Sequence, residues 1–216
     1  MGEAGAHPIR ILIVDDHPVM CSGLSNMLSS HDGMTVVGTC GTGAEALKMV
    51  GTHTPDLVLL DVRMPGMDGI AVLQALQSFK VGPRVVMLTS YEQDELIYRA
   101  IRAGAQGYVL KDASEVDLIA AITAVNEGKR YLPLHIAARL ADRMMRADLT
   151  PRELQTLVLL AKGWTNKQIA SNLNLSDYTI RHYVNSIMEK LEVSDRTEAV
   201  AKAFESGLLS HAEKHS

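Results

Sequence analysis

Apolar and polar positions along the first 127 residues fall into short alternating blocks. Ile9-Arg-Ile-Leu-Ile-Val14, Met34-Thr-Val-Val-Gly38, Leu57-Val-Leu-Leu60, Arg84-Val-Val-Met-Leu-Thr89 and Gln106-Gly-Tyr-Val-Leu-Lys111 are dense in β-branched and aliphatic residues. The run at 57–60 is apolar throughout rather than alternating, as expected of a strand buried on both faces of a parallel sheet. Between these blocks the apolar residues recur at helical spacing. Helices are predicted from His17-Pro18 onward, over 43–50, around 70–76, from about Asp94 to Ala103, and over 115–127 behind Ser114 and Asp117. Five strands alternating with five helices imply a doubly wound parallel α/β sheet.

Beyond Gly128 the strand pattern stops. Tyr131-Leu-Pro133 interrupts it, and Ile136, Leu140 and Met144 then space as one face of a helix. Residues 128–148 therefore read as a helical linker, with Arg139, Arg143 and Arg146 on its solvated face. A second unit, residues 149–211, follows. Thr150-Pro151-Arg-Glu153 has an N-cap threonine, a proline at the first helical position and an acid at the third, which is a capping box. Apolar positions continue that helix to Gly163. Thr165–Leu173 forms a second, Ser176 caps a third with Ile180, Val184, Ile187, Met188 and Leu191 inward, and a fourth runs from Arg196-Thr197 to Gly207. Residues 165–191 have the helix, short Asn-bearing turn, helix spacing of a helix-turn-helix in a small all-α domain.

Composition adds limits. With 47% hydrophobic and 21% charged residues in 216, the chain is ordinary globular protein. No apolar run reaches the roughly 18 residues needed to cross a membrane. The start lacks a basic region followed by an apolar core, and Ala6 is wrong for myristoylation, so no signal peptide, no membrane partner and a cytoplasmic location are expected. Cys21 and Cys40 make neither a metal spacing nor a disulfide framework. Charge is uneven. Residues 1–126 carry 8 basic against 14 acidic side chains, 127–146 carry 5 against 2, and 147–216 carry 8 against 9. Bulk charge thus gives no case for nucleic acid, and such a case needs a local argument.

The candidate chemistry lies at the strand ends. Asp15 and Asp16 follow the first strand, Asp61 ends the third before Pro65, Gly66 and Gly69, Thr89 ends the fourth and Lys111 the fifth. In open α/β sheets the carboxyl ends of strands are where ligands bind. Three clustered carboxylates repel, and Mg2+, which favours carboxylates, waters and phosphate, relieves them. A hydroxyl and a lysine suit a tetrahedral anion. An anion beside three carboxylates makes sense if one of them carries it covalently, and carboxylates are nucleophiles toward phosphoryl groups.

With Asp15-Asp16, Asp61 in Asp-Val-Arg-Met-Pro-Gly-Met-Asp-Gly69, Thr89 and Lys111, residues 8–127 resemble the receiver domain of two-component response regulators. The resemblance implies that Asp61 accepts phosphate from a sensor histidine kinase. It implies Mg2+ on Asp16, Asp61 and the backbone carbonyl of Arg63, with Asp15 acting through water. Thr89 and Lys111 would hold the phosphoryl oxygens, and Tyr108 matches the aromatic switch position. Asp112 stands where many receivers have proline.

Residues 149–209 resemble the LuxR-type DNA-binding domain of NarL/FixJ regulators, through Leu149-Thr-Pro-Arg-Glu153, Gly163-Trp-Thr-Asn-Lys-Gln-Ile-Ala170, Leu175-Ser-Asp-Tyr-Thr-Ile-Arg181, Lys190-Leu191 and Val193-Ser-Asp-Arg-Thr197. Tyr183 replaces the usual histidine, and Asn185 a common basic residue. Holding Ile180, Val184, Ile187 and Leu191 inward turns Arg181, His182 and Asn185 outward toward bases, with Lys167 and Lys190 placed for phosphates. The expected function is a transcription factor whose phosphorylation promotes a homodimer and binding to double-stranded promoter DNA, as two-fold half-sites. Two other classes remain open. Aspartate-nucleophile phosphatases share the strand-end Asp, Mg2+, hydroxyl and Lys, but carry a second acid where this chain has Arg63, which argues against turnover of outside substrates. The other class is a receiver-type module acting by protein–protein interaction without phosphorylation.

Overall fold

The computed structural model describes residues 7–79, 81–90 and 93–209. The N-terminal strands are β1 (Ile9–Val14), β2 (Met34–Cys40), β3 (Leu57–Asp61), β4 (Arg84–Thr89) and β5 (Gly107–Leu110). They alternate with α1 (Pro18–Ser29), α2 (Gly43–His53), α3 (Gly69–Leu76), α4 (Asp94–Arg102) and α5 (Glu115–Asn126). All four ladders are parallel, and the strand order is β2-β1-β3-β4-β5. The chain leaves β1 in one direction for β2 and returns on the other side for β3, so β1 and β3 flank the switch point where ligands enter such sheets.

Every residue of β3 is buried, which accounts for its unbroken apolar run. A fully buried Leu or Val side chain contributes about 1.5–3 kcal/mol, so the sheet centre anchors what hangs from its ends. One core cluster packs Ile11, Ile13, Leu57, Leu59, Val86 and Leu88 against Leu118, Ala121, Ile122 and Val125 of α5. Tyr131, where the strand pattern breaks, forms a single parallel bridge to Gly107. Among the described residues there is no cis peptide bond, so Lys111–Asp112 is trans.

Five helices follow: α6 (Leu134–Met144), α7 (Pro151–Ala161), α8 (Asn166–Leu173), α9 (Asp177–Leu191) and α10 (Arg196–Glu205). The chain divides into two compact units. Among the described residues the first holds 7–90 and 97–137, and the second 93–96 and 138–209; residues 210–211 of the second domain lie outside the described residues. In the second unit Leu157, Leu160, Ile169, Ile180, Val184, Ile187, Ala199 and Ala203 form one core. Thr150 and Thr165 each close a capping box, with Glu153 and Gln168. Asn174, left-handed at φ 55°, ends α8 and turns the chain into α9, whose N-cap Ser176 accepts from Thr179 N–H.

The linker arginines are not a solvated face. Within the second unit Arg143 is 8% exposed and donates to Glu95 at 2.6 Å and Asp148 at 2.8 Å. Arg139 donates to Asp94 at 2.8 Å. The carboxylate partners take the guanidinium of Arg143 out of water, while Met144, expected on the apolar face, is 66% exposed. Among the described residues no helix is long and apolar enough to cross a membrane.

Candidate functional site

The sheet register brings the strand-end groups together. Val14 pairs with Leu60, so Asp15 and Asp61 leave neighbouring strands at one level. Leu88 pairs with Asp61, and Thr89 with Leu110, which places Thr89 and Lys111 one step beyond. Asp15, Asp61 and Thr89 are buried, at 1%, 3% and 1% exposed. Lys111 reaches both carboxylates: its Nζ donates to Asp61 Oδ2 at 2.8 Å and lies 2.7 Å from Asp15 Oδ2. The Lys111 amide donates to Thr89 O at 2.8 Å, fixing where the lysine stem starts.

The loop after β3 is built tightly against Asp61. Arg63 N–H donates to Asp61 Oδ1 at 3.3 Å, Gly66 turns the chain at φ +79°, and Asp68 caps α3 by accepting from Ala71 N–H at 2.7 Å. Gly69 closes the loop by donating to Val62 O. A Cβ at Gly69 would stand 2.0 Å from the Asp61 carbonyl oxygen, so only glycine lets α3 start there.

Burial pushes the Asp61 carboxyl above its ordinary value; the hydrogen bond and charge of Lys111 pull it down without cancelling the rise, and the nearby Asp15 charge adds to it. Burial works against the Lys111 ammonium, yet its close contacts with the Asp15 and Asp61 carboxylates outweigh that and hold its pKa above the usual value. The result is one firmly charged cation among poorly solvated carboxylates.

One donor atom from each of Asp15, Asp16, His17 and Asp61 lies within 4.8 Å of the others. Asp15 Oδ2 and Asp16 Oδ1 are shielded from solvent yet accept no hydrogen bond of good geometry. Their close neighbours are charged or basic nitrogens instead, Lys111 Nζ and His17 Nδ1. Buried oxygens with open lone pairs fit a divalent cation. His17, read in the sequence only as a helix start, belongs to this cluster, and its place directly after Asp15-Asp16 was the available signal. Tyr108 is wholly buried, and its N–H donates to Tyr131 O at 3.0 Å.

On α9, Ile180, Val184 and Ile187 are buried while Arg181, His182 and Asn185 are exposed. Arg181 is held along the helix by Asp177 at 2.6 Å. Tyr178, not singled out in the sequence, is 81% exposed and shares the face of 181, 182 and 185 by helical spacing. Lys167 is exposed on α8. Lys190 is held differently: its Nζ donates at 2.6 Å to Glu153, which also accepts from Ser186 and from the Thr150 amide. Trp164 packs on the helical core, and its carbonyl accepts from Arg196.

Comparison with known proteins now bears on this geometry. The model of the response regulator receiver domain matches residues 11–123, and that of the bacterial regulatory proteins of the luxR family matches 147–203. The chain belongs to the two-component response regulators with a LuxR-type DNA-binding domain. The regulator is 37% identical over 207 residues to the response regulator protein VraR of Staphylococcus saprophyticus, covering 94% of this chain and 99% of that one. It is 36% identical to VraR of Staphylococcus epidermidis over 206 residues, covering 93% and 99%. Among solved structures, the response regulator ChrA of a heme-sensing two-component system is 38% identical with a TM-score of 0.56, covering 94% and 99%. RcsB of Salmonella typhimurium is 26% identical with a TM-score of 0.71, covering 89% and 98%. A structure of two RcsB dimers bound to two parallel DNAs is 25% identical with a TM-score of 0.70, covering 91% and 98%. As a response regulator with both domains, the protein has the organisation of a transcription factor rather than of an enzyme with an outside substrate.

Proposed function

We propose that Asp61 accepts a phosphoryl group from a sensor histidine kinase in a Mg2+-dependent reaction, and that this promotes dimerisation and sequence-specific binding to promoter DNA in the cytoplasm. The observation that carries the reading is the Lys111 ammonium seated on both Asp15 and Asp61, with Thr89 at the adjoining strand end. In the transfer, one Asp61 oxygen forms the bond to phosphorus as the bond from phosphorus to the donor histidine nitrogen breaks, and the electron pair leaves with the imidazole. Lys111 is charged throughout and moves its hydrogen bond from carboxylate to phosphoryl oxygen. The Thr89 hydroxyl donates to a second phosphoryl oxygen. Asp16, Asp61 and the Arg63 carbonyl would hold Mg2+ directly, with Asp15 through water; when bound, the ion neutralises charge on the acids and the incoming group. Arg63 offers no acid for a leaving group, so chemistry is confined to uptake and self-hydrolysis at Asp61.

Thr89 and the buried Tyr108 form the two-position switch, which needs only a few kcal/mol of differential stabilisation. On the DNA side, Arg181, His182, Asn185 and Tyr178 face the major groove and Lys167 a phosphate. Lys190 is a further contact, reaching a phosphate on letting go of Glu153. The RcsB dimers on DNA support binding of DNA by a dimer. The test is intact mass after incubation with acetyl phosphate and Mg2+. One added phosphoryl group, absent in Asp61→Asn, is expected. An equal gain in Asp61→Asn would move the site elsewhere, and no gain in the native chain would favour a module that works without phosphorylation.

A further inference from the structure

The corner made by Asp15, Asp16 and His17 holds an imidazole that phosphoryl transfer leaves unused. His17 Nδ1 lies 3.1 Å from Asp15 Oδ1 and 2.8 Å from Asp16 Oδ1. An imidazole nitrogen carries one hydrogen at most. The 3.1 Å contact has hydrogen-bond geometry, whereas Asp16 Oδ1 accepts no hydrogen bond although it is shielded from solvent. Hydrogen bonding by His17 thus satisfies one carboxylate and leaves the other open. A cation satisfies both.

The spacing supports the second arrangement. Ligands at neighbouring corners of an octahedron with bonds of about 2.1 Å stand about 3 Å apart. Nδ1 already stands at that distance from Asp16 Oδ1. One donor atom from each of Asp15, Asp16, His17 and Asp61 lies within 4.8 Å of the others, with Asp15 reaching the ion through water. Nor is His17 committed elsewhere. It is the N-cap residue of α1, yet its side chain makes no cap hydrogen bond, and Pro18 at the first helical position needs none. Its backbone is held in place, the amide donating to Asp15 Oδ1 at 2.9 Å. The ring itself is 69% exposed, so it turns toward an ion without disturbing the core.

We propose that His17 Nδ1 is a nitrogen ligand of the divalent cation at this corner, with the ring proton on Nε2. The site then accepts transition ions with an affinity for imidazole, such as Mn2+ and Co2+, in a way that an all-oxygen site does not. Mg2+ takes oxygen ligands and gains little from the ring, while imidazole strengthens binding along the first-row divalent series. This inference rests on the reading of the acid corner as the cation site.

Pulsed electron paramagnetic resonance of Mn2+ bound to the full chain tests it, alongside calorimetric titrations with Co2+ and Mg2+. Nuclear modulation from a directly bound 14N is expected in the native chain and is lost in His17→Ala. Co2+ affinity falls about tenfold or more in that variant, the scale on which ligand-shell changes act, while Mg2+ affinity moves about twofold or less and confirms an intact site. Mn2+ bound without 14N modulation, or equal loss of Co2+ and Mg2+ affinity, overturns the ligand role alone. Failure of the native chain to bind Mn2+, or unchanged binding in Asp16→Asn, removes the acid corner as a cation site, and the phosphoryl-transfer reading with it.

Discussion

Replacing Glu153 by glutamine removes one charge from a buried corner of the second unit. Glu153 is 5% exposed and accepts from Lys190, Ser186 and the Thr150 amide. Burial alone would raise its pKa, but the hydrogen bonds from Lys190, Ser186 and Thr150 overcome that and lower it from 4.5 to about 2. At about 1.4 kcal/mol per tenfold change in proton affinity, that gap corresponds to about 3 kcal/mol of stability. Because the folded-state value is the lower one, the contribution is fully present above the unfolded value of 4.5 and is lost as pH falls from there toward 2. Glu153→Gln keeps the side-chain shape and one capping acceptor but leaves Lys190 without its counter-charge. For a domain of this size the midpoint of thermal unfolding should drop by roughly 12–24 °C at pH 7. Trp164, the single tryptophan of the chain, packs in this unit and reports its unfolding by fluorescence. The gap between native and variant should close as pH falls from 5 to below 3. A midpoint unchanged at pH 7, or a gap that stays constant down to pH 2.5, would refute the assignment of this stability to the Glu153 charge.

Three further outcomes follow from the geometry. Gly69→Ala places a Cβ 2.0 Å from the Asp61 carbonyl oxygen, and the forced shift should cost about 1–3 kcal/mol and slow phosphoryl uptake at Asp61, read by denaturant unfolding and by mass. Lys111→Ala should retain some phosphoryl uptake yet lose the change in DNA affinity that follows, read by mass and by fluorescence anisotropy on one preparation. Arg181→Ala and Asn185→Ala should each relax preference at one base step by about 1–3 kcal/mol, whereas Lys167→Ala should weaken all sequences alike and reduce the salt slope by about one; selection from a random DNA pool separates the two patterns.

The strand ends were legible in the sequence because each is marked locally: an unbroken apolar run followed by an acid, hydroxyl or lysine. Parallel register then needs no further information to bring Asp15, Asp61, Thr89 and Lys111 to one edge. The inward face of α9 was legible for the same reason, since helical spacing sorts Ile180, Val184 and Ile187 from Arg181, His182 and Asn185. What escaped were partnerships between residues far apart in the chain. Arg143 looked solvated because Glu95, 48 residues away, gives no local sign of reaching it. Lys190 looked free because Glu153, 37 residues earlier, was explained by its capping box alone. His17 was hidden by a simpler role, the residue before a helix-starting proline. Tyr178 was passed over because an exposed aromatic at the first turn of a helix has no periodic signature.

The most direct test of the account is the affinity of the full chain for its selected DNA, measured with and without acetyl phosphate and Mg2+, in native protein and in Asp61→Asn. The account predicts that the native chain binds more tightly after phosphorylation, with a matching shift from monomer to dimer in sedimentation, and that Asp61→Asn shows neither change. Equal affinity and equal mass distribution in the phosphorylated and unphosphorylated native chain would contradict it.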